Sequence, residues 1–122
     1  MGASDRVVVG CTSGADAAER VTAAYLAAVA AVDAGREVVM WLTADGVRLA
    51  DEGYVDAIQT VWAPPVAELH RRFVAGGGRF YVCPLAWDGC ELDAGRLVAG
   101  AELRDAAAVL AFAGDGALTF SY

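Results

Sequence analysis

Three cysteines, one histidine and a hydroxyl-rich loop are the residues of this 122-residue chain best equipped for chemistry. Cys83 closes the run Arg79-Phe80-Tyr81-Val82 and is followed by Pro84. In open α/β sheets, sites form at the carboxyl ends of strands, where loops meet helix N-termini. A helical turn beginning at Pro84 would aim backbone N–H groups at the Cys83 sulfur and favour its thiolate, the nucleophilic form. Packing is the competing role, because free cysteine is among the most buried residues and behaves as a small hydrophobe. Cys11 ends a second apolar run, Arg6 to Cys11. If the two strands are neighbours, both thiols line one crevice and can form a transient disulfide or pass a persulfide; if not, they are buried thiols. Cys83 and Cys90 are too far apart for a Cys-x-x-Cys redox motif. Three cysteines and one distant histidine also lack metal-ligand spacing, so no metal or cofactor is expected.

Thr12-Ser13-Gly14-Ala15-Asp16 follows a strand and enters a helix, which is the geometry of an anion site. It has neither the glycines of a dinucleotide fingerprint nor the lysine of a P-loop. A flavin-type site would use such a loop together with a stacking aromatic, for which Trp87 and Trp62 are the candidates; core or interface packing is their other role. Thr12, Ser13, Gly14 and Trp87 are therefore the candidate ligand-binding residues. Asp45 is expected to shape an Asp-Gly turn with Gly46. Arg79 and Arg96 could hold an anion near the thiol or lie in solvent. His70, between Glu68 and Arg71-Arg72, is placed on the wet face of its helix.

These residues need a scaffold, and the chain reads as alternating strands and helices. The β-branched run Arg6 to Cys11 predicts a strand buried on both faces. A long, alanine-rich helix is expected over Ala17 to Ala34, with Gly35 just past its end. Glu37 to Thr43 is the second strand. A short helical piece is expected near Val47–Ala50, with the remainder up to Ala63 a loop or helix over the sheet edge. A helix from Pro65 to Ala75 stops at Gly76-Gly77-Gly78. Arg79 to Cys83 is the third strand, Leu85 to Gly100 an irregular segment, Ala101 to Ala113 the last helix, and Ala117 to Tyr122 the final strand. The right-handed crossover rule turns this order into a mainly parallel sheet covered on both faces, in a single domain spanning residues 1–122.

Composition narrows the function. Nine arginines against sixteen acids give a net charge of −7, and the only adjacent basic pair is Arg71-Arg72, so nucleic acid is not an expected partner. The longest weakly polar run, Val21 to Val32, is twelve residues, well short of the roughly twenty of a membrane span. Met1 to Arg6 lacks the basic start and apolar stretch of a signal peptide. An odd number of cysteines in a chain that is 57% apolar does not read as a disulfide framework, which places the protein in a reducing cytoplasm. The alanine-rich helix and the apolar excess predict a homo-oligomer.

Val7 to Ser13, Gly35-Arg36-Glu37-Val38, Asp45-Gly46-Val47, Gly77-Gly78-Arg79-Phe80-Tyr81-Val82-Cys83-Pro84 and Leu118-Thr119-Phe120 together resemble the DsrE/DsrF/TusD-like sulfur-relay family. The resemblance implies a three-layer α/β/α fold with a mainly parallel sheet of about five strands, and assembly as a trimer or hexamer. It also implies a persulfide carried at Cys83, with sulfur donor and acceptor proteins as partners; it carries no role onto Cys11 or Cys90. Two readings follow. The first is a cytoplasmic sulfur carrier or sulfurtransferase-like protein working through Cys83. The second, prompted by the acids Asp88 and Glu91 near the thiol, is a non-catalytic oligomeric binding or accessory module holding a small anionic or flat ligand.

Overall fold

In the computed structural model, which describes residues 5–122, the chain forms a five-stranded sheet of order β4-β3-β2-β1-β5 with every neighbouring pair parallel. Met1 to Ser4, read above for a leader signal, lie outside the described residues. The strands are β1 (Arg6–Cys11), β2 (Glu37–Leu42), β3 (Arg79–Val82), β4 (Ala101–Leu103) and β5 (Leu118–Ser121). The helices are α1 (Ala18–Asp33), α2 (Val66–Ala75), α3 (Pro84–Gly89) and α4 (Ala106–Ala113). Among the described residues no helix is long and apolar enough to cross a membrane.

Alternation along each strand divides the core in two. Val7, Val9 and Cys11 of β1, Met40 and Leu42 of β2, and Phe80 and Val82 of β3 face α1 and α2, where they meet Val21, Tyr25, Leu69 and Phe73. Val8, Val39 and Tyr81 face the other way, onto Val109 and Phe112 of α4. A helix of eight residues cannot cover five strands, and guanidinium groups extend the cover. Arg6 lies over the Phe112 ring at 5.1 Å, while Arg79 and Arg104 lie over Tyr81 at 5.7 and 5.1 Å.

The helix ends follow their glycines. Gly35 takes φ 81°, so the N–H groups of Gly35 and Arg36 turn back onto the carbonyls of Val32 and Ala31 and close α1. Two stretches differ from expectation. The predicted helix from Ala101 is first a strand: Ala101 and Leu103 alternate beside Phe80 and Val82, and only after Asp105 does α4 begin. Asp105 is the N-cap, its carboxylate accepting the Ala108 N–H at 3.1 Å, a stop-and-start signal hidden inside an alanine-rich run. The segment expected to be irregular holds α3, set off by Pro84 at its first position. The short helical piece near Val47–Ala50 is present as a 3-10 stretch, Ala44–Ala50.

Candidate active site

The carboxyl ends of β1, β2 and β3 bring the sequence-predicted residues to one end of the sheet. A cleft of about 380 Å³ opens there, lined by Thr12, Ala44, Asp45, Ala86, Gly89 and Cys90. Its floor depends on Gly46. The Gly46 N–H donates to the Thr43 carbonyl at 2.8 Å, and a Cβ at Gly46 would collide with the Cys11 carbonyl. Only glycine lets the 3-10 stretch after β2 lie so closely on the end of β1. Asp45 faces the cleft with Arg48 at 3.6 Å from its carboxylate.

Cys83 is half-buried and caps α3. Its N–H donates to the Leu42 carbonyl at 2.9 Å, continuing the β2–β3 ladder, and its own carbonyl accepts the Trp87 N–H at 3.0 Å. The ladder fixes the residue while the helix starting at Pro84 carries the chain away. Cys83, Ala86 and Cys90 fall at i, i+3 and i+7, so they share the face of α3 that packs against the core, whereas Leu85 points to solvent at 84% exposure. Cys90, to which the sequence assigned nothing, is thereby a wall of the cleft, and Cys83 stands at the far end of the same stripe. The six residues of α3 lie between the two and hold them about 10 Å apart, too far for a disulfide while α3 is folded.

Cys11 takes no part at this surface. It is fully buried, with its thiol 3.7 Å from the Ser13 carbonyl. Burial pushes its pKa up, and the Ser13 contact opposes this more weakly. The shared crevice required β1 and β3 to be neighbours, but β2 lies between them, with Cys11 paired to Leu42. The possible second thiol is thus separated from Cys83 by two strand spacings, about 10 Å.

The hydroxyl-rich loop is largely satisfied from within. Thr12 lines the cleft, yet both its N–H and its Oγ1 donate to the main-chain oxygen of Tyr122, at 3.0 and 3.2 Å. The Ala15 N–H donates to the hydroxyl of Tyr54 at 2.7 Å, and buried Gly14 packs under that same hydroxyl. Neither Ser13 nor Gly14 is among the cleft-lining residues. Tyr54 escaped the sequence reading because its segment has no periodicity and the partner is thirty-nine residues away.

Trp87, expected as a stacking platform, is 3% exposed within the core and does not line the cleft. Trp62 is half-exposed, its Nε1 donating to Glu19 at 3.5 Å. Arg96 ties Asp51 at 3.1 Å and the Glu52 carbonyl, and Arg79 stacks on the opposite sheet face, so neither holds an anion at Cys83. Among the described residues no cluster of His, Cys, Asp and Glu could hold a metal ion.

His70 corrects its predicted place. It turns inward, Nδ1 sharing a hydrogen bond with the Tyr25 hydroxyl at 2.9 Å and the ring stacking on Phe80 at 5.1 Å. Burial lowers its pKa, Arg71 lowers it further, and Asp56 opposes both. Burial raises the Tyr25 pKa, with nearby Cys11 adding to it. A histidine whose folded pKa is depressed contributes stability above its unfolded pKa, about 6.5, that is lost as pH falls through the folded value. The melting temperature is therefore expected to decline as pH falls below about 6.5, and His70→Gln to flatten that decline; thermal melts across the acid range read it directly.

The model of the DsrE/DsrF-like family matches residues 5–120. The fold is similar to that of the ychN protein from E. coli, with a TM-score of 0.74 at 16% identity over 96% of this chain and 99% of that one. It is also similar to MTH1491, a protein of unknown function from Methanobacterium thermoautotrophicum, with a TM-score of 0.57 at 14% identity over 93% and 97% of the two chains. At these identities the likeness to the two structures is one of fold. No curated protein matches the sequence.

Proposed function

Because this chain belongs to the DsrE/DsrF-like family, we propose that it is a sulfur carrier that holds sulfane sulfur on Cys83. The observation that supports this reading is a half-buried thiol fixed by the β2–β3 ladder at the start of α3. The Cys83 thiolate attacks the terminal sulfur of a donor persulfide, R–S–SH. A new S–S bond forms, the donor's S–S bond breaks, and the donor leaves as its thiolate. An acceptor thiolate then takes the outer sulfur and Cys83 leaves as the thiolate. Backbone amides at the start of α3 would stabilise the anionic sulfur. Donor and acceptor are proteins, the setting is a reducing cytoplasm, and the chain works as a homo-oligomer, a trimer or hexamer. Exposed Leu110, Leu118 and Phe120 support the assembly.

Intact-mass measurement after exposure to inorganic polysulfide tests the proposal. The wild-type protein is expected to gain sulfur, and Cys83→Ser, folded by its thermal melt, to gain little or none. Equal gain by both would refute Cys83 as the carrier.

The cleft favours a second reading, a binding module without turnover, since its walls include Thr12, Asp45 and Cys90 but not Cys83. Native mass spectrometry separates the two. A small molecule retained equally by wild-type and Cys83→Ser protein, without sulfur uptake, supports the binding module.

A further inference from the structure

The two edges of the sheet are built differently. At one edge, β4 is three residues long, includes Glu102 and is followed by Arg104, which pairs with that glutamate at 3.6 Å. Short, charged edges of this kind resist pairing with other strands. At the other edge, every residue of β5 is exposed, and Leu118-Thr119-Phe120-Ser121 contains no charge, proline or bulge. Leu118 and Phe120, 50% and 43% exposed, border an apolar groove of about 350 Å³ whose other wall is the alanine stripe of α1. Among the described residues no carboxylate lines this groove, although the chain has sixteen acids, so two like-charged copies can meet here with little repulsion.

The hydrogen-bond parity of β5 fixes which of its main-chain groups face outward. Tyr122 turns both main-chain groups toward β1, its N–H donating to Gly10 at 2.8 Å and its oxygen accepting from Thr12 at 3.0 Å. Alternation in a parallel ladder then points Phe120 and Leu118 toward β1 as well, and leaves the N–H and C=O of Thr119 directed outward. We propose that β5 forms a two-fold interface with β5 of a second copy, antiparallel and centred on Thr119. Thr119 of each copy exchanges both main-chain bonds with its counterpart. Leu118 faces the second copy's Phe120 on the groove side, twice, and the two threonines meet on the other side as a favourable cross-strand pair. The same axis runs the two α1 helices antiparallel, setting the end that carries Arg36 toward the end that carries Asp16 and Glu19. This interface does not depend on the sulfur reading. A trimer has no two-fold axis; a dimer, or a hexamer of two trimers, has one.

Cross-linking through an introduced cysteine tests the register. Directly opposed residues of a hydrogen-bonded antiparallel pair have Cα atoms about 5.5 Å apart, within disulfide reach. Thr119→Cys, in a Cys83→Ser/Cys90→Ser background, is expected to give a covalent dimer on mild oxidation. Leu118→Cys, offset from its counterpart by two residues, is expected to remain a monomer on the same non-reducing gel. Thr119→Pro removes only the outward N–H and keeps the ladder to β1, so it is expected to fold and to halve the mass in solution. A wild-type protein that is a monomer or trimer by light scattering would overturn the proposal. So would an even-numbered assembly in which Thr119→Cys fails to cross-link.

Discussion

Cys83 is expected to react with iodoacetamide at least about a hundredfold faster than Cys11 in the folded protein. Cys11 has no exposed surface, and its sulfur is reached only when the core that encloses it opens. Native domains open their cores only at a free-energy cost approaching their full stability, about 5 kcal/mol or more, which holds the open population to roughly one molecule in several thousand. Burial also keeps the Cys11 thiol protonated, and the thiolate is the reactive form. Cys83 needs no such opening, being half-buried at the end of β3. Site-resolved alkylation in native buffer and in denaturant gives the comparison, with the difference collapsing once the chain unfolds.

Alanine in place of Gly46 is expected to lower the melting temperature by on the order of 10 °C. The added Cβ meets a backbone carbonyl, that of Cys11, rather than the end of a flexible side chain. That carbonyl accepts the Thr43 N–H at 3.3 Å and belongs to a fully buried residue, so it cannot move aside without disturbing the ends of β1 and β2. Overpacking against rigid neighbours costs about 3 kcal/mol, and each kcal/mol is about 4 °C in a domain of this size. Gly89→Ala is the control. It lies on the wall of the same cleft with nothing near its Cβ position, and the melt is expected to move by no more than about 2 °C.

The scaffold was largely legible in the sequence because its signals are local. A β-branched run, a glycine at a helix end and a proline at a helix start each act within one turn of chain, and β1, α1, α2 and β3 lie where those signals put them. Misplaced elements trace to signals that act at a distance. Ala101 to Leu103 became a strand because β3 offered a free edge, which outweighed the helix propensity of the alanines that follow. The site was less legible for the same reason. Strand order decided that Cys11 and Cys83 do not meet, and no residue type encodes strand order. His70 has charged neighbours in sequence but an apolar floor, Phe80, and a buried partner, Tyr25. Tyr54 and Cys90 became visible only when the segments carrying them were placed against the ends of β1 and β3.

Locating the sulfane sulfur by peptide mass mapping, after polysulfide loading of the wild-type protein, bears most directly on the carrier assignment. The extra sulfur is predicted on the peptide containing Cys83, removed by cyanide and absent from the peptide containing Cys11. Sulfur found on Cys90 alone, or on no cysteine at all, would contradict it.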